Sequence, residues 1–172
     1  MLEYRSSGIL LPVSALPGPY GIGMLGEQAR RFVDFLAAAG QHYWQILPLV
    51  PPGGGDSPYM SPSSFAGNPL FLDLDALAEE GLLTPQELES ARCPDPDRID
   101  YAWLHQTRTP LLRQTWERAR EKYTEKVEEF LEEEKSWLPD YALFMAVRAK
   151  YDGAELKDWP HEVRTREPET MK

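Results

Sequence analysis

The sequence is poor in cysteine, poor in histidine and has no excess of positive charge. Its one cysteine, Cys93, sits beside Pro94, Asp95 and Pro96. A lone thiol excludes an intramolecular disulfide, and its loop setting reads as a free cytosolic thiol. The three histidines, His42, His105 and His161, read as structural, and no metal site is expected. Eighteen basic residues against 28 acidic ones leave a net charge of −10. A nucleic-acid partner needs a basic face, so none is expected. An anionic membrane surface is disfavoured for the same reason. No apolar run approaches the roughly 18 residues of a membrane span. The first residues lack the basic start and apolar stretch of a signal peptide. A cytoplasmic location is therefore expected. Repeats and low-complexity tracts are absent.

What is present is a globular composition: 172 residues, 42% of them apolar, enough for one domain with a core. Ile9 to Val13 is a short apolar run and reads as a buried strand. Ser14 to Gly23 is full of Pro and Gly and reads as a loop. From about Leu25 the pattern turns helical, with Ala29, Phe32, Val33 and Leu36 on one face and Gly40 as the stop. A second apolar run, Tyr43 to Leu47, reads as another strand. Strand, helix, strand in about forty residues is a βαβ unit, so the two strands should be parallel. Their continuous apolar character predicts cover on both faces.

The loop after the second strand carries the functional signal. It runs from Asp56-Ser57-Pro58-Tyr59 to Gly67-Asn68-Pro69, and its Ser, Pro and Gly content excludes a helix or a central strand. Loops held on a rigid strand are where binding groups are displayed. This one offers the Tyr59 ring, several hydroxyls, the Asp56 carboxylate and the Asn68 amide. Those groups suit a sugar, whose apolar C–H face lies on an aromatic ring and whose hydroxyls need donors and acceptors. Asp56 serves either a sugar contact or the capping of loop backbone. Asn68 and Pro69 serve as turn formers or as a contact.

Past this loop the chain reads mostly helical. Leu70 to Leu74 is extended and leads into a small helix stopped at Gly81. Thr84-Pro85-Gln86-Glu87 is a helix start with a capping box, and residues 91–100 are loop. Tyr101 to about Phe130 is helical, with Leu104, Leu111, Leu112, Trp116, Ala119 and Tyr123 on one face. Pro110 inside it predicts a kink or two helices. Charges of opposite sign three apart (Arg118–Glu121, Lys122–Glu125, Lys126–Glu129, Glu132–Lys135) predict a solvated face. Pro139 to Val147 is apolar nearly all round and predicts a buried helix. The tail from Trp159 is polar and does not return to a strand. An α/β domain should return to strands, and a (β/α)8 barrel needs about 200–250 residues, so the chain reads as the front of a longer protein.

These motifs carry a family resemblance. Ser14 to Gly23 resembles the opening motif of amylomaltases, the 4-α-glucanotransferases also called disproportionating enzymes. Tyr43-Trp44-Gln45-Ile46-Leu47-Pro48-Leu49 is similar to their second strand, and Asp56 to Pro69 to the loop that follows. Trp137 to Phe144 and the Trp159-Pro160 step are similar too, and the order is kept along the whole chain. The resemblance implies an α/β fold, the N-terminal part of a (β/α)8 TIM barrel with helical insertions, with the first barrel strands and helix at about 1–75 and a mostly helical insertion at about 76–158. It implies transfer of an α-1,4-glucan segment to the 4-OH of glucose or another glucan by a retaining double displacement, which needs two carboxylates. It implies no cofactor, and maltooligosaccharides and α-1,4-glucans as partners. In the family the catalytic carboxylates lie on later strands, beyond Lys172, so no catalytic residue is assigned and the segment alone is expected to be inactive. The substrate-binding residues it implies are Tyr59, stacking on a glucose ring, and Ser57, bonding sugar hydroxyls, with Asp56 and Asn68 beside them. Trp44 is expected in barrel packing. Gly54 and His105 stand where some relatives carry aromatics of an accessory glucan groove, which puts that groove in doubt. The alternative is a non-catalytic maltodextrin-binding or degenerate fragment.

Overall fold

Helix ends in this chain are written in short local signals, and each closes as elementary capping requires. The computed structural model describes residues 5–95 and 97–170; Met1–Tyr4, Pro96 and the last two residues of the polar tail lie outside the described residues. Helix α1, Glu27–Ala38, stops with Gly40 in the left-handed region at φ 68°. The Gly40 N–H donates to Ala37 and the Gln41 N–H to Leu36, the paired bonds of a Schellman cap. Helix α2, Leu74–Glu79, ends the same way at Gly81. Helix α3, Pro85–Ser90, opens with the reciprocal Thr84–Glu87 capping box and proline in its first turn.

Two strands, β1 (Gly8–Leu10) and β2 (Tyr43–Gln45), pair in parallel with Ile9 opposite Trp44. Both are shorter than expected. Pro12 ends the first, and Val13–Ala15 turns into a 3-10 helix. Among the described residues nothing covers the outer apolar side chains: Ile9 and Leu10 are 42% and 56% exposed, and Tyr43 is also open. Trp44 alone is well packed, edge-on to Phe32 at 5.0 Å and donating from its indole N–H to the Leu11 carbonyl at 2.8 Å.

The chain divides into two compact units, residues 1–124 and 125–172. In the first, the proline- and glycine-rich segment 12–24 is the interior rather than a surface loop. Val13, Leu16 and Ile22 pack with Ala29, Leu70, Phe71 and Leu104. Tyr20 and Met24 pack with Leu74, Leu83, Ala91 and Leu111. The expected extended run at 70–74 is instead a 3-10 turn, Pro69–Phe71, which lets Leu70, Phe71 and Leu74 all face inward.

Helix α4, Tyr101–Ala119, passes through Pro110. The missing Pro110 N–H forfeits one backbone bond, but buried Leu104 and Arg108 precede it and Leu111 and Thr115 follow, so packing on both sides holds one helix. The break falls later, before α5, Thr124–Glu133. The buried stripe is Leu104, Arg108, Leu111, Thr115 and Ala119, a 4-3-4-4 spacing; Trp116, expected inside, is 46% exposed. Arg118 reaches across to Glu87 with two bonds of 2.7 Å rather than pairing with Glu121. Lys122 lies beside Glu80 at 3.6 Å. Of the expected three-apart pairs, Glu132–Lys135 is formed.

Arg108 is 1% exposed and, among the described residues, has no carboxylate beside it. Its guanidinium donates to the Tyr20 carbonyl at 3.0 Å and approaches the Met24 sulfur at 3.6 Å and the Tyr20 ring at 6.0 Å. Burial pulls it down to about 10, still charged at neutral pH. The Tyr20 hydroxyl in turn donates to Asp75 at 2.5 Å; burial first, then that bond and the Asp75 charge, push its phenol up.

In the second unit, α6 (Leu138–Lys150) is half-buried along its length rather than buried, with Phe144 against Trp159 at 5.3 Å. Trp159 and Val163 of the tail are buried there, the latter on the short helix α7, His161–Arg164. Among the described residues no helix is long and apolar enough to cross a membrane.

Two outcomes follow from these contacts. Arg108→Ala opens a cavity and orphans the Tyr20 carbonyl, and should cost about 3 kcal/mol in denaturant unfolding. A loss under about 1 kcal/mol would show that Arg108 is not needed there. Glu87 is held down to about 2 by the Arg118 guanidinium, then by the Thr84 backbone N–H. A depressed folded pKa gives stability that is complete above the ordinary carboxylate range and lost as pH falls towards 2. The Tm gap between wild type and Glu87→Gln should thus be widest above about pH 5 and close on acidification. A gap independent of pH would contradict the ion pair.

Candidate substrate-binding loop

The loop after β2 is closed at its base by the Asn68 N–H, which donates to the Leu49 carbonyl at 2.8 Å. Asn68 is buried, and its side-chain oxygen caps the 3-10 turn through the Leu70 N–H at 3.0 Å. That oxygen therefore serves the fold. Ser63 is used similarly: its hydroxyl accepts from the Phe65 and Ala66 N–H groups, both at 3.1 Å. Ser61 donates to the Ser63 carbonyl at 2.7 Å and accepts from its N–H at 3.2 Å. Much of the serine content that suggested sugar contacts thus satisfies loop backbone, as short hydroxyl side chains do in turns.

The tip is different. Gly54–Asp56 forms a 3-10 turn with two successive left-handed residues, Gly55 at φ 67° and Asp56 at φ 56°. Asp56 tolerates this region better than most residues, at some cost in strain. The reversal throws Ser57-Pro58-Tyr59 outward. Ser57 sits in extended backbone at the end of the turn, and its hydroxyl lies 3.4 Å from the Tyr59 N–H. The Tyr59 ring is 73% exposed. Gly53 lies against the returning strand of the loop: a Cβ there would stand 1.6 Å from the Met60 carbonyl oxygen. Two stretches of backbone therefore touch at the neck of the Tyr59 tip.

Beneath the tip is a cavity of about 110 Å³ lined by Val13, Pro48, Asp56, Pro58, Asn68 and Tyr101. A wider, open cavity of about 530 Å³ adjoins it, reached by Asp56, Cys93, Asp95, Arg98, Tyr101 and Trp103. Asp56 and Tyr101 line both. The loop thus places Ser57, Asp56 and Tyr59 together at its tip and Asn68 at its buried base. The sequence reading did not connect Tyr101 or His105 to this site, yet His105 Nε2 lies 3.6 Å from Asp56 Oδ1. Their spacing of four was visible; their contact with a residue about fifty positions earlier was not. Among the described residues no group of three or more His, Cys, Asp or Glu could hold a metal ion.

The loop after β2 thus presents two exposed aromatic rings, Tyr59 and Phe65, the former beside hydroxyl and carboxylate groups. The family model for 4-alpha-glucanotransferase matches residues 11–172, and the chain belongs to that family. It is 44% identical to the 4-alpha-glucanotransferase of Thermus thermophilus over 98% of this chain and 34% of that protein. It is 43% identical to the Synechocystis enzyme of the same name, over all of this chain and 35% of that one. Among solved structures, an amylomaltase from Streptococcus agalactiae in complex with acarbose superimposes with a TM-score of 0.89 at 38% identity, over 98% of this chain and 34% of that one. The chain spans about a third of the length of the curated relatives it matches.

Gly53→Ala should force the neck open, since the added methyl meets backbone rather than a movable side chain. The expected result is faster proteolytic cleavage within residues 53–60 with the cores of the first unit still protected. Unchanged cleavage would show that the neck is not closed in solution.

Proposed function

We propose that the full-length protein carrying this chain is a 4-α-glucanotransferase. It passes a segment of α-1,4-glucan to the 4-OH of glucose or of another α-1,4-glucan, with retention, through a covalent glycosyl-enzyme intermediate. One carboxylate displaces the leaving sugar, and a carboxylic acid first protonates it and then deprotonates the acceptor hydroxyl. Both groups come from later strands of the same (β/α)8 barrel, of which β1 and β2 are the first two. The exposed apolar faces of Ile9, Leu10 and Tyr43 support further barrel structure over these strands. The reaction needs no cofactor and no metal. Net charge and the lack of a membrane-crossing helix among the described residues support a cytoplasmic enzyme acting on neutral glucans, with neither nucleic acid nor membrane as partner.

The observation that carries this reading is the exposed Tyr59 ring on a loop whose returning arm and base are hydrogen-bonded by its own polar groups. Tyr59 stacks on the glucose ring at the cleavage point of the donor. Ser57 bonds its hydroxyls, Asp56 stands beside them, and the Asn68 carboxamide nitrogen is the remaining polar group at the loop base. A relative solved with acarbose supports a glucan-like ligand in this fold.

In the full-length protein acting on maltotriose, Tyr59→Ala should lower kcat/KM by about 10–100-fold, the worth of roughly 1–3 kcal/mol of ring contact. Tyr59→Phe keeps the ring face and should stay within about fivefold. Alanine and wild type within twofold of each other would remove Tyr59 from the site.

A further inference from the structure

The cavity of about 110 Å³ beneath the tip has walls that are mostly proline and aliphatic, with Ser14, Asp56, Asn68 and Tyr101 as its polar residues. Asn68 is 9% exposed. The orientation of its carboxamide is fixed, because Oδ1 accepts from the Leu70 N–H at 3.0 Å. That leaves Nδ2, with its two donor hydrogens, as the polar atom Asn68 offers to the cavity it lines. Among the described residues no acceptor meets Nδ2. Buried polar groups are bonded in almost every folded protein, so this donor points to an occupant.

The other polar groups of the cavity suit the same occupant. A carboxylate such as that of Asp56 only accepts, and the hydroxyls of Ser14 and Tyr101 both donate and accept. Size narrows the occupant further. Pockets that enclose a whole small molecule run from about 300 Å³ upwards, so this one takes a group rather than a sugar ring. A water molecule occupies about 30 Å³ in the liquid, so there is room for a few. A group between Asn68 Nδ2 and a carboxylate has to accept on one side and donate on the other. A hydroxyl does both.

We propose that this cavity is a hydroxyl-binding site, in which one O–H oxygen accepts from Asn68 Nδ2 and donates its hydrogen to the Asp56 carboxylate. The hydroxyl comes from an ordered water or from the hydroxymethyl group of a donor glucose; the sugar source rests on the reading of the loop as the donor site, and the water source does not. Asn68 stands at the closed base of the loop, and Asp56 is the left-handed residue immediately before Ser57-Pro58-Tyr59. A hydroxyl bonded to both ties the base to the pivot of the ring-bearing tip, as a bridging water does between two protein groups.

The test is a pair of high-resolution crystal structures of the full-length protein, one ligand-free and one with maltotriose. The expected result is an oxygen within about 3.2 Å of both Asn68 Nδ2 and an Asp56 carboxylate oxygen. Water in both crystals assigns the site to solvent; a sugar hydroxyl in the second assigns it to the donor. A cavity with no oxygen there, or Nδ2 donating to a protein group, overturns the proposal. Asn68→Ser in solution gives a second readout, since serine keeps a capping oxygen for the Leu70 N–H and removes the carboxamide nitrogen. With water as the source, loop amides 56–60 of the ligand-free variant should exchange about three- to tenfold faster than in the wild type. With sugar as the source, their exchange should match the wild type and KM for maltotriose should rise by a similar factor. No change in either overturns the proposal. Exchange lost as much at Leu70 as at 56–60 would assign Asn68 to the cap alone and overturn it too. Maltotriose bound away from the loop would overturn the donor-site reading instead, and the ligand-free crystal would still decide the cavity.

Discussion

The first unit depends on one buried cation. Arg108 meets the Tyr20 carbonyl, the Tyr20 ring and the Met24 sulfur, with no carboxylate in contact among the described residues. Desolvating a guanidinium is costly, and the site offsets this with a carbonyl dipole and a ring face instead of a counter-ion. The result is directional. Arg108 fastens α4 to the 12–24 segment, and Tyr20 fastens that segment to Asp75 in the first turn of α2. A hydrophobic residue would pack there but would leave the Tyr20 carbonyl without its donor.

That attachment reaches the site. The same helix that buries Leu104 and Arg108 on one side carries Tyr101 and His105 at its start, beside Asp56. The loop in turn is braced from within. Asn68 closes its base, Ser61 and Ser63 satisfy its backbone, and Gly53 permits the close approach at its neck. An exposed aromatic ring on a mobile loop would lose much of its contact energy to ordering. Here hydrogen bonds from Ser61, Ser63 and Asn68 order the returning arm of the loop within the fold, and the Tyr59 ring stays exposed.

What the sequence made legible was local. The Thr84–Glu87 box, the glycine stops at 40 and 81 and the parallel strand pair depend on neighbours within a few residues or on a simple period. The loop at 56–69 was legible as a display surface because its composition excludes regular structure. Long-range contacts were not legible. Segment 12–24 has the composition of a surface loop, and only its contacts with α1, α2 and α4 make it core. Nothing in the residues around Arg108 signals its burial against the Tyr20 carbonyl. Pro110 reads as a break, and packing on either side overrides it. The serines of the loop read as sugar ligands, whereas Ser61 and Ser63 serve the backbone. The continuous apolar runs signal strands with two covered faces without saying which residues cover them.

The most direct test is a crystal structure of the full-length protein with a maltooligosaccharide bound. The account predicts a glucose ring stacked on the Tyr59 face, with Ser57 within hydrogen-bond distance of a sugar hydroxyl and the 53–60 tip held as it is here. An oligosaccharide bound elsewhere, with the Tyr59 ring still in solvent, would contradict it.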